Sequence, residues 1–231
     1  MASTTRNTTA SSRSSRNASS TETLTDRAYT AIEELIVTLQ LAPGSVLSEQ
    51  MLSERLRIGR TPIREALQRL ARERLVVILP RRGVMVSAID VKSQLRLLEV
   101  RRELERLVAR GAARRASEDE RARFAELARA FERAGRTGDD KAFMRTDREF
   151  NELCLAAVRN EFAAGAMGLM NSLSRRFWFH HYKQAADMPE TAKLHADIAR
   201  AIAAGDAQAA AAALDRLLDS IEAFTRATVE V

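Results

Sequence analysis

The hydrophobic pattern of residues 48–86 changes period partway along, and no other feature of the chain restricts its fold as strongly. The first part carries apolar residues at the i, i+3, i+4, i+7 spacing of one buried helix face, namely Ile63, Ala66, Leu67 and Leu70. The second part carries two short runs rich in β-branched residues, 75–79 and 84–86, as strands do. The stretch therefore predicts helices followed by a β-hairpin.

Capping residues divide the helical part into two short helices. Ser48 is suited to the N-cap of the first helix, which we expect to run to about Leu56. Gly59 lies in the connection, where we expect a left-handed backbone that glycine adopts without steric cost. Thr61 is the expected N-cap of the second helix, with Pro62 at its first position, where no amide donor is needed.

Two helices joined by a tight turn and followed by a hairpin form a winged helix-turn-helix, whose second helix enters the major groove of DNA. The hairpin tip, residues 80–83, reads Pro-Arg-Arg-Gly and offers two cations to phosphates or to the minor groove. Polar residues at the exposed start of the second helix are suited to base edges and phosphates. We therefore expect DNA contacts from Arg60, Thr61, Arg64, Gln68, Arg81, Arg82 and Gly83.

At these residues the sequence resembles the GntR superfamily of transcription regulators. The family fingerprint includes an arginine, a Thr-Pro pair, an Arg-Glu-Ala-Leu helix start and a wing that ends in Arg-Gly, and it stands here at residues 60–67 and 80–83. Gly59 replaces the frequent serine of the family, and Gln50 stands where relatives often have a DNA-contacting arginine. The resemblance adds Ser48 and Gln50 to the expected DNA contacts, and these departures leave the operator sequence open.

Basic charge is concentrated in the same part of the chain. Residues 1–89 hold thirteen Lys and Arg against eight Asp and Glu (+5), and the remaining residues hold twenty-four against twenty-three (+1), for a total of +6. The excess therefore lies where a polyanion would bind. The single cysteine, Cys154, excludes an intramolecular disulfide and lies in an apolar run, which favours a buried thiol over a nucleophile.

Composition divides the 231 residues into three segments. Residues 1–22 are rich in Ser, Thr, Asn and Arg, which predicts a disordered basic arm; an organelle transit peptide is the alternative interpretation. Residues 23–88 hold the winged helix-turn-helix, and residues 89–231 predict an all-helical domain for effector binding and dimerisation. No apolar run approaches the roughly twenty residues of a membrane span, so we expect a cytoplasmic protein with no membrane partner.

Beyond residue 90 the strand signals disappear, and six amphipathic segments with short links predict an all-α bundle. We expect the second of these helices to end at Gly135 and the fourth to run from Asn160 through Trp178. Glu99-Val100-Arg101, the Asp-x-x-Phe segment at 147–150 and the late Ala-Ile-Ala-Ala-Gly-Asp turn resemble the FadR-like (FCD) effector domain. The expected fold is mainly α, an N-terminal winged helix-turn-helix (α+β) followed by a six-helix FCD-like bundle.

The resemblance implies a ligand site inside the bundle. Many FCD domains hold a divalent metal through an Asp, a His one helical turn later and two further His, a donor set suited to Zn²⁺ or Ni²⁺. Asp147 and His195 match two positions, whereas Asn151 and Leu217 stand at the other two. This set (Asp147, Asn151 and His195) is incomplete for a metal, so we expect a small organic acid bound by Arg101, Asp147, Asn151, Trp178 and His195. The plainer interpretation is a satisfied helix histidine and an exposed Asp147–Arg148 pair.

Together these features predict a ligand-responsive transcriptional regulator, a repressor in the simplest case, that binds a two-fold DNA operator as a homodimer. One alternative is an architectural DNA-binding protein that needs no ligand. The other is a helical-bundle enzyme that uses Asp147 as general base with His195 as its partner. The sequence lacks a phosphate-cradling glycine loop and a nucleophile elbow, which argues against the enzyme.

Overall fold

The structure is a computed structural model that describes residues 22–185 and 187–228. The arm predicted for residues 1–22 lies outside these residues except for Glu22. The N-terminal part of the described chain contains α1 Leu24–Val37, β1 Val46–Leu47, α2 Glu49–Leu56, α3 Arg60–Arg72, β2 Val76–Leu79 and β3 Gly83–Val86. Helix α1 begins with a capping box, in which Thr23 accepts a hydrogen bond from the Asp26 amide and the Asp26 carboxylate accepts one from the Thr23 amide.

The three strands form an antiparallel sheet in the order β1-β3-β2. Strand β3 is central, with Met85 opposite Val46 on one side and opposite Val77 on the other. One face of the sheet carries Leu47, Val76, Val84 and Val86, which are buried against the helices. The sequence predicted the β2–β3 hairpin but not β1, because a strand of two residues has too little periodicity to detect.

The connection between α2 and α3 differs from the prediction in two details. Helix α3 begins two residues earlier than expected with Gly59 as its N-cap, so Thr61 lies in the first turn instead of capping it. Pro62 is then the third helical residue, where its missing amide still falls among the four that a helix leaves unpaired. The left-handed residue is Arg57, with φ of 55°, whereas Gly59 has φ of −58°. The reversal therefore occurs directly at the end of α2.

Seven helices form the rest of the described chain: α4 Val91–Arg115, α5 Glu118–Thr137, α6 Asp140–Ala157, α7 Glu161–Gly168, α8 Asn171–Ala185, α9 Met188–Ala204 and α10 Ala207–Ala227. Helices α5 and α9 pack along each other, and α10 packs on α4 and α9. The predicted fold class, a small winged domain followed by a helical bundle, is confirmed. Within the described residues, every helix is too short or too polar to cross a membrane.

Two helix ends of the bundle differ from the prediction. The predicted fourth helix is divided into α7 and α8, because the amides of Leu169 and Met170 bond carbonyls only three residues back and close the last turn after Gly168. Gly135 lies inside α5, which continues to Thr137 and ends at a left-handed Gly138 with φ of 64°. Packing against α9 explains the extension, since the bare backbone of Gly135 lets the two helices approach closely.

Two separate groups of buried apolar side chains lie in the two parts of the chain. One extends from Ala28 to Val86 and is dominated by Ile32, Leu52, Ile63 and Leu70, and the other extends from Leu98 to Leu218 and contains Phe124, Phe131, Ile198 and Ile202. Each part thus has its own core. Residues 87–90, between β3 and α4, connect the two parts.

Gly135→Ala should destabilise the bundle. A Cβ atom at this position would lie 2.9 Å from the Cβ of Ala192, and only separation of α5 and α9 relieves that contact. We expect the free energy of unfolding to fall by up to about 2 kcal/mol, because overpacking costs about 1–3 kcal/mol and the helix propensity of alanine returns about 1 kcal/mol.

Gly165→Ala is the matched control, since a Cβ there meets nothing within 4 Å and α7 should simply gain helix propensity. Urea denaturation compares both variants with the wild type. A Gly135→Ala protein as stable as Gly165→Ala would contradict the close approach of α5 and α9.

Candidate nucleic-acid interface and buried cavity

Helix α3 separates its side chains into a buried and an exposed face. Ile63, Ala66, Leu67 and Leu70 are buried in the core of the N-terminal part. Arg60, Thr61, Arg64 and Gln68 are all exposed, as the sequence predicted for base-contacting positions. The exposed residues occupy the first three turns of α3, the end that helix-turn-helix proteins insert into the major groove.

A bidentate ion pair holds Arg64 in place. Its Nε and Nη2 atoms each donate a hydrogen bond of 2.7 Å to the carboxylate of Glu49 on α2. The hydrogen bond from Arg64, the largest effect, holds the pKa of Glu49 below its usual value. This contact uses one edge of the guanidinium and leaves Nη1 and the second Nη2 hydrogen for a guanine. Glu49 therefore orients Arg64 outward, a role that its position in the sequence did not indicate.

The two predicted contacts on α2 lie at its exposed N-terminal end. The Ser48 hydroxyl caps the helix by accepting from the Met51 amide over 3.1 Å, and its own proton stays available for an acceptor such as phosphate. Gln50 is exposed and donates to Glu54 one turn later over 3.0 Å. Both residues therefore lie beside the exposed start of α3, with Glu49 between them.

The hairpin tip presents its cations through an unusual backbone. Arg81 and Arg82 are exposed, and Arg81 has φ of 62°. Gly83 has φ of 97°, and a Cβ there would lie 2.8 Å from the Leu47 carbonyl oxygen on β1. Glycine is thus required at this position because strand β1 passes close by and because other residues rarely adopt this φ. The structure gives Gly83 a packing role that is independent of any DNA contact.

A cavity of about 90 Å³ lies inside the bundle between α4, α6, α8, α9 and α10. All five predicted effector residues, Arg101, Asp147, Asn151, Trp178 and His195, line it. Leu217 also lies in its wall, at the position where the resemblance implies a histidine. The structure thus brings these residues together, whereas the alternative of an exposed Asp147–Arg148 pair is wrong: Asp147 lies in the cavity and Arg148 pairs with Glu33.

Asp147 and His195 form an ion pair inside this cavity. The Nδ1 atom of His195 lies 2.8 Å from the Thr191 carbonyl, which only accepts, so Nδ1 carries a proton. The Nε2 atom lies 3.3 Å from Asp147 Oδ1, a second acceptor. Burial raises the pKa of Asp147, but the His195 hydrogen bond and charge, with Arg175 and Arg101, outweigh burial and lower it. Asn151 Nδ2 donates to the same oxygen over 3.1 Å.

These donors do not fit a Zn²⁺ or Ni²⁺ site. A metal site needs three or four converging ligands, and Asn151 and Leu217 supply a weak amide and a hydrocarbon where imidazoles are needed. Both nitrogens of His195 already face acceptors of the protein. Among the described residues no group of three or more His, Cys, Asp or Glu side chains is placed to hold a metal.

Several polar residues of the cavity were missed by the sequence interpretation. They are Gln94, Glu105, Asn171, Ser174, Arg175 and Thr191. A signal for two of them was present, because Gln94 and Glu105 continue the stripe of α4 that contains the buried Leu98 and the predicted Arg101. Arg101 and Glu105 pair one turn apart on this stripe. No sequence pattern indicated that Arg175 borders a cavity.

Trp178 forms the aromatic part of the wall. Its ring stacks on Tyr182 at a centroid distance of 4.5 Å and an interplanar angle of 14°, and it also contacts Phe143. Phe143 in turn packs edge-on against the His195 ring. The charged groups of the cavity are thus enclosed on one side by aromatic rings, which strengthens electrostatic interactions by excluding water.

Comparison with known proteins identifies both parts of the chain. The family model described as "Bacterial regulatory proteins, gntR family" matches residues 24–86, and the model described as "FCD domain" matches residues 96–220. The chain is 36% identical over 93 residues to the HTH-type transcriptional repressor RspR of Escherichia coli, which covers 40% of this chain and 41% of that protein. It is 26% identical over 145 residues to the Nta operon transcriptional regulator of Aminobacter aminovorans, covering 63% of this chain and 67% of that protein.

A higher identity is found over a shorter stretch of the chain. An HTH-type transcriptional regulator in an unstable DNA locus of Streptomyces ambofaciens is 44% identical over 62 residues, so the match spans 26% of that relative's length and 27% of this chain. Among solved structures, Escherichia coli McbR/YncC has a TM-score of 0.69 at 20% identity, covering 90% of this chain and 99% of that chain. A GntR regulator from a Rhodococcus species has a TM-score of 0.64 at 22% identity, covering 88% and 97%. These structures show the fold.

The Asp147 ion pair should make stability depend on pH. The pKa of Asp147 is lower in the folded chain than in the unfolded chain, so its contribution is complete above the unfolded pKa and is lost as pH falls through the folded pKa. Asp147→Asn lacks this contribution at every pH. We therefore expect the variant to be less stable at about pH 6 and the difference to shrink toward about pH 3. Urea denaturation of both proteins at several pH values measures the difference between their free energies of unfolding. A difference that stays constant with pH would contradict the ion pair.

Proposed function

Because this chain belongs to the gntR family of bacterial regulatory proteins and carries an FCD domain, we propose that it is a ligand-responsive repressor that binds a two-fold DNA operator as a homodimer. Its family and its relatives are transcriptional regulators, so the protein is a transcriptional regulator and not an enzyme. A small organic acid in the helical cavity tunes its affinity for DNA, and it acts in the bacterial cytoplasm.

The exposed face of α3 is the observation that carries the DNA-binding proposal. Arg60, Thr61 and Arg64 project from the N-terminal end of a helix whose opposite face is buried, and Glu49 orients the Arg64 guanidinium. Arg81 and Arg82 extend the cationic surface to the wing. The positive excess of residues 1–89 adds long-range attraction to a polyanion. Arg64 then reads a base while the wing arginines bind the backbone or minor groove.

An apolar stripe on α4 supports a homodimer. Val100 and Leu107 are 52% and 42% exposed and lie seven residues apart, so they share one face of the helix. Large apolar side chains exposed in a row favour a protein partner over solvent. In a two-fold dimer the stripe of one copy packs against the same stripe of the other copy. The second copy then supplies a second reading helix for the other half of the operator.

The charges of the cavity support an acid as the effector. Its wall contains Arg101, Arg175 and His195 beside the carboxylates of Glu105 and Asp147. Arginine binds a carboxylate ligand through two parallel hydrogen bonds, and two arginines line this wall. The small volume, about 90 Å³, favours a small acid over an extended one.

Arg64→Ala should weaken specific DNA binding and relax the base preference. The test uses a duplex that the wild type selects from a randomised library, and we expect a loss of about 1–3 kcal/mol on that duplex because a base contact is removed. Arg81→Ala should instead weaken selected and scrambled duplexes alike and reduce the salt slope of binding by about 1, because it removes a phosphate contact.

Arg129→Ala is the matched control, since it removes an exposed arginine from α5 in the helical part. Fluorescence anisotropy at two salt concentrations compares the three variants. If Arg64→Ala kept the wild-type ratio between selected and scrambled duplexes, α3 would not be the reading helix.

Binding of an acid should raise the melting temperature of the wild type and shift its affinity for the selected duplex. Succinate serves as probe, and at about 100 times its dissociation constant a ligand that binds only the folded chain adds about 2.7 kcal/mol to stability. Arg101→Ala should show a smaller shift because one of the carboxylate-binding cations is lost. An equal shift in both proteins would place the acid elsewhere.

A further inference from the structure

Arg175 on α8 borders both the cavity and the DNA-binding part of the chain. It lines the internal cavity, and it also lines a cleft of about 530 Å³ between the two parts, whose other walls come from α1, α3, α6 and α7. Its side chain is only 13% exposed. Its guanidinium forms an ion pair with the N-terminal part of the chain, because Nη1 lies 2.9 Å from the Glu33 carboxylate on α1. One side chain therefore touches both places that the proposed regulation has to connect.

Glu33 is held across the boundary by two arginines of the helical part. Its carboxylate is buried, with Arg175 on one oxygen and Arg148 of α6 on the other at 3.1 Å. A buried carboxylate requires such compensation, because removal of a partner leaves a charge that water does not reach. The position of α1 relative to α8 therefore depends on where the Arg175 guanidinium points.

The next residue of α8 binds the junction between the two parts. Arg176 is 3% exposed and donates to the Ser87 carbonyl and the Ser87 hydroxyl at 3.0 Å, and to the Ala88 carbonyl at 3.2 Å. Leu173 of the same helix packs against the core of the N-terminal part. Helix α8 thus holds α1 through Arg175 and holds the polypeptide leading out of β3 through Arg176.

Two donors beside the cavity are unused by the protein itself. The Ser174 hydroxyl and the Arg175 Nε atom are buried without a hydrogen-bond partner among the described residues, and both residues line the cavity. Buried donors normally have a partner, so both are available to a group that enters the cavity. A carboxylate accepts from a hydroxyl and from a guanidinium edge together.

We propose that Arg175, with Ser174, binds the acidic effector and that the effector displaces Glu33 from Arg175, which releases α1 and shifts the DNA-binding part. This inference rests on the proposed function, since it takes an acid in the cavity as given. Glu33 and the effector then compete for one guanidinium. Because coupling between two sites is reciprocal, whatever weakens the hold of Glu33 on Arg175 strengthens effector binding.

Glu33→Gln in the full chain tests this competition, with succinate as probe and the duplex selected by the wild type as DNA. The variant removes the competing charge while keeping the shape, so it should bind succinate about fivefold more tightly or better. Its affinity for the duplex should no longer change when succinate is added. Glu152→Gln is the matched control, because Glu152 is exposed and pairs with Arg148 at 3.7 Å without contacting Arg175; it should behave as the wild type.

A measurement on the wild type guards against a variant that fails to fold. Hydrogen exchange of α1 and of residues 87–90 should become faster when succinate binds, and unchanged exchange overturns the proposal. If Glu33→Gln keeps both the wild-type succinate affinity and the wild-type DNA response, the competition is refuted while the proposed function stands. If succinate changes neither the melting temperature nor the DNA affinity of the wild type, the proposed function fails and the competition fails with it.

Discussion

Burial of the Glu33 carboxylate at the boundary of two independently packed cores governs how the parts of this chain are arranged. Loss of one partner from a buried ion pair costs about 3–5 kcal/mol, so the DNA-binding part stays where Arg148 and Arg175 meet Glu33. Apolar packing constrains the relative position of the two parts less, because the two cores are separate and few apolar side chains, such as Leu173, cross between them. A boundary held by polar contacts rearranges when those contacts are exchanged, whereas a continuous apolar core does not.

The orientation of the DNA-reading surface depends on packing and on one surface ion pair. The face of α3 that packs into the core fixes the direction of the opposite face, and Glu49 fixes the Arg64 guanidinium on it. The wing is equally constrained, since Gly83 lies against the β1 backbone with no room for a side chain. Helix α8 touches both α1, through Arg175, and the junction, through Arg176.

The cavity lacks two of the side chains that the family resemblance implies as metal ligands. With Asn151 and Leu217 at two of the positions, Asp147 pairs with His195 and lies near Arg175 and Arg101. His195 is oriented by the Thr191 carbonyl from one side and by Asp147 from the other. What remains is a polar space lined by Arg101 and Arg175.

The sequence by itself determined the elements and the chemistry that lies within them. Hydrophobic period and capping residues predicted α2, α3, the β2–β3 hairpin and most of the bundle. The apolar stripe of α3 identified Arg60, Arg64 and Gln68 as exposed. Both signals come from residues that are close together in the sequence. The family resemblance identified Asp147 and Asn151, which lie one helical turn apart within α6. Family resemblance added His195 and Arg101, which lie far from them in the chain.

Only the tertiary structure decided the features that depend on elements distant in sequence. It placed Gly135 inside a helix because α9 packs there, and it moved the left-handed residue from Gly59 to Arg57 because the turn forms directly after α2. It also joined Glu49 to Arg64 and Glu33 to Arg175, pairs whose partners are fifteen and 142 residues apart. No local pattern encodes such pairs, since charged residues on amphipathic helices are ordinarily solvated, and their meeting depends on how the helices pack.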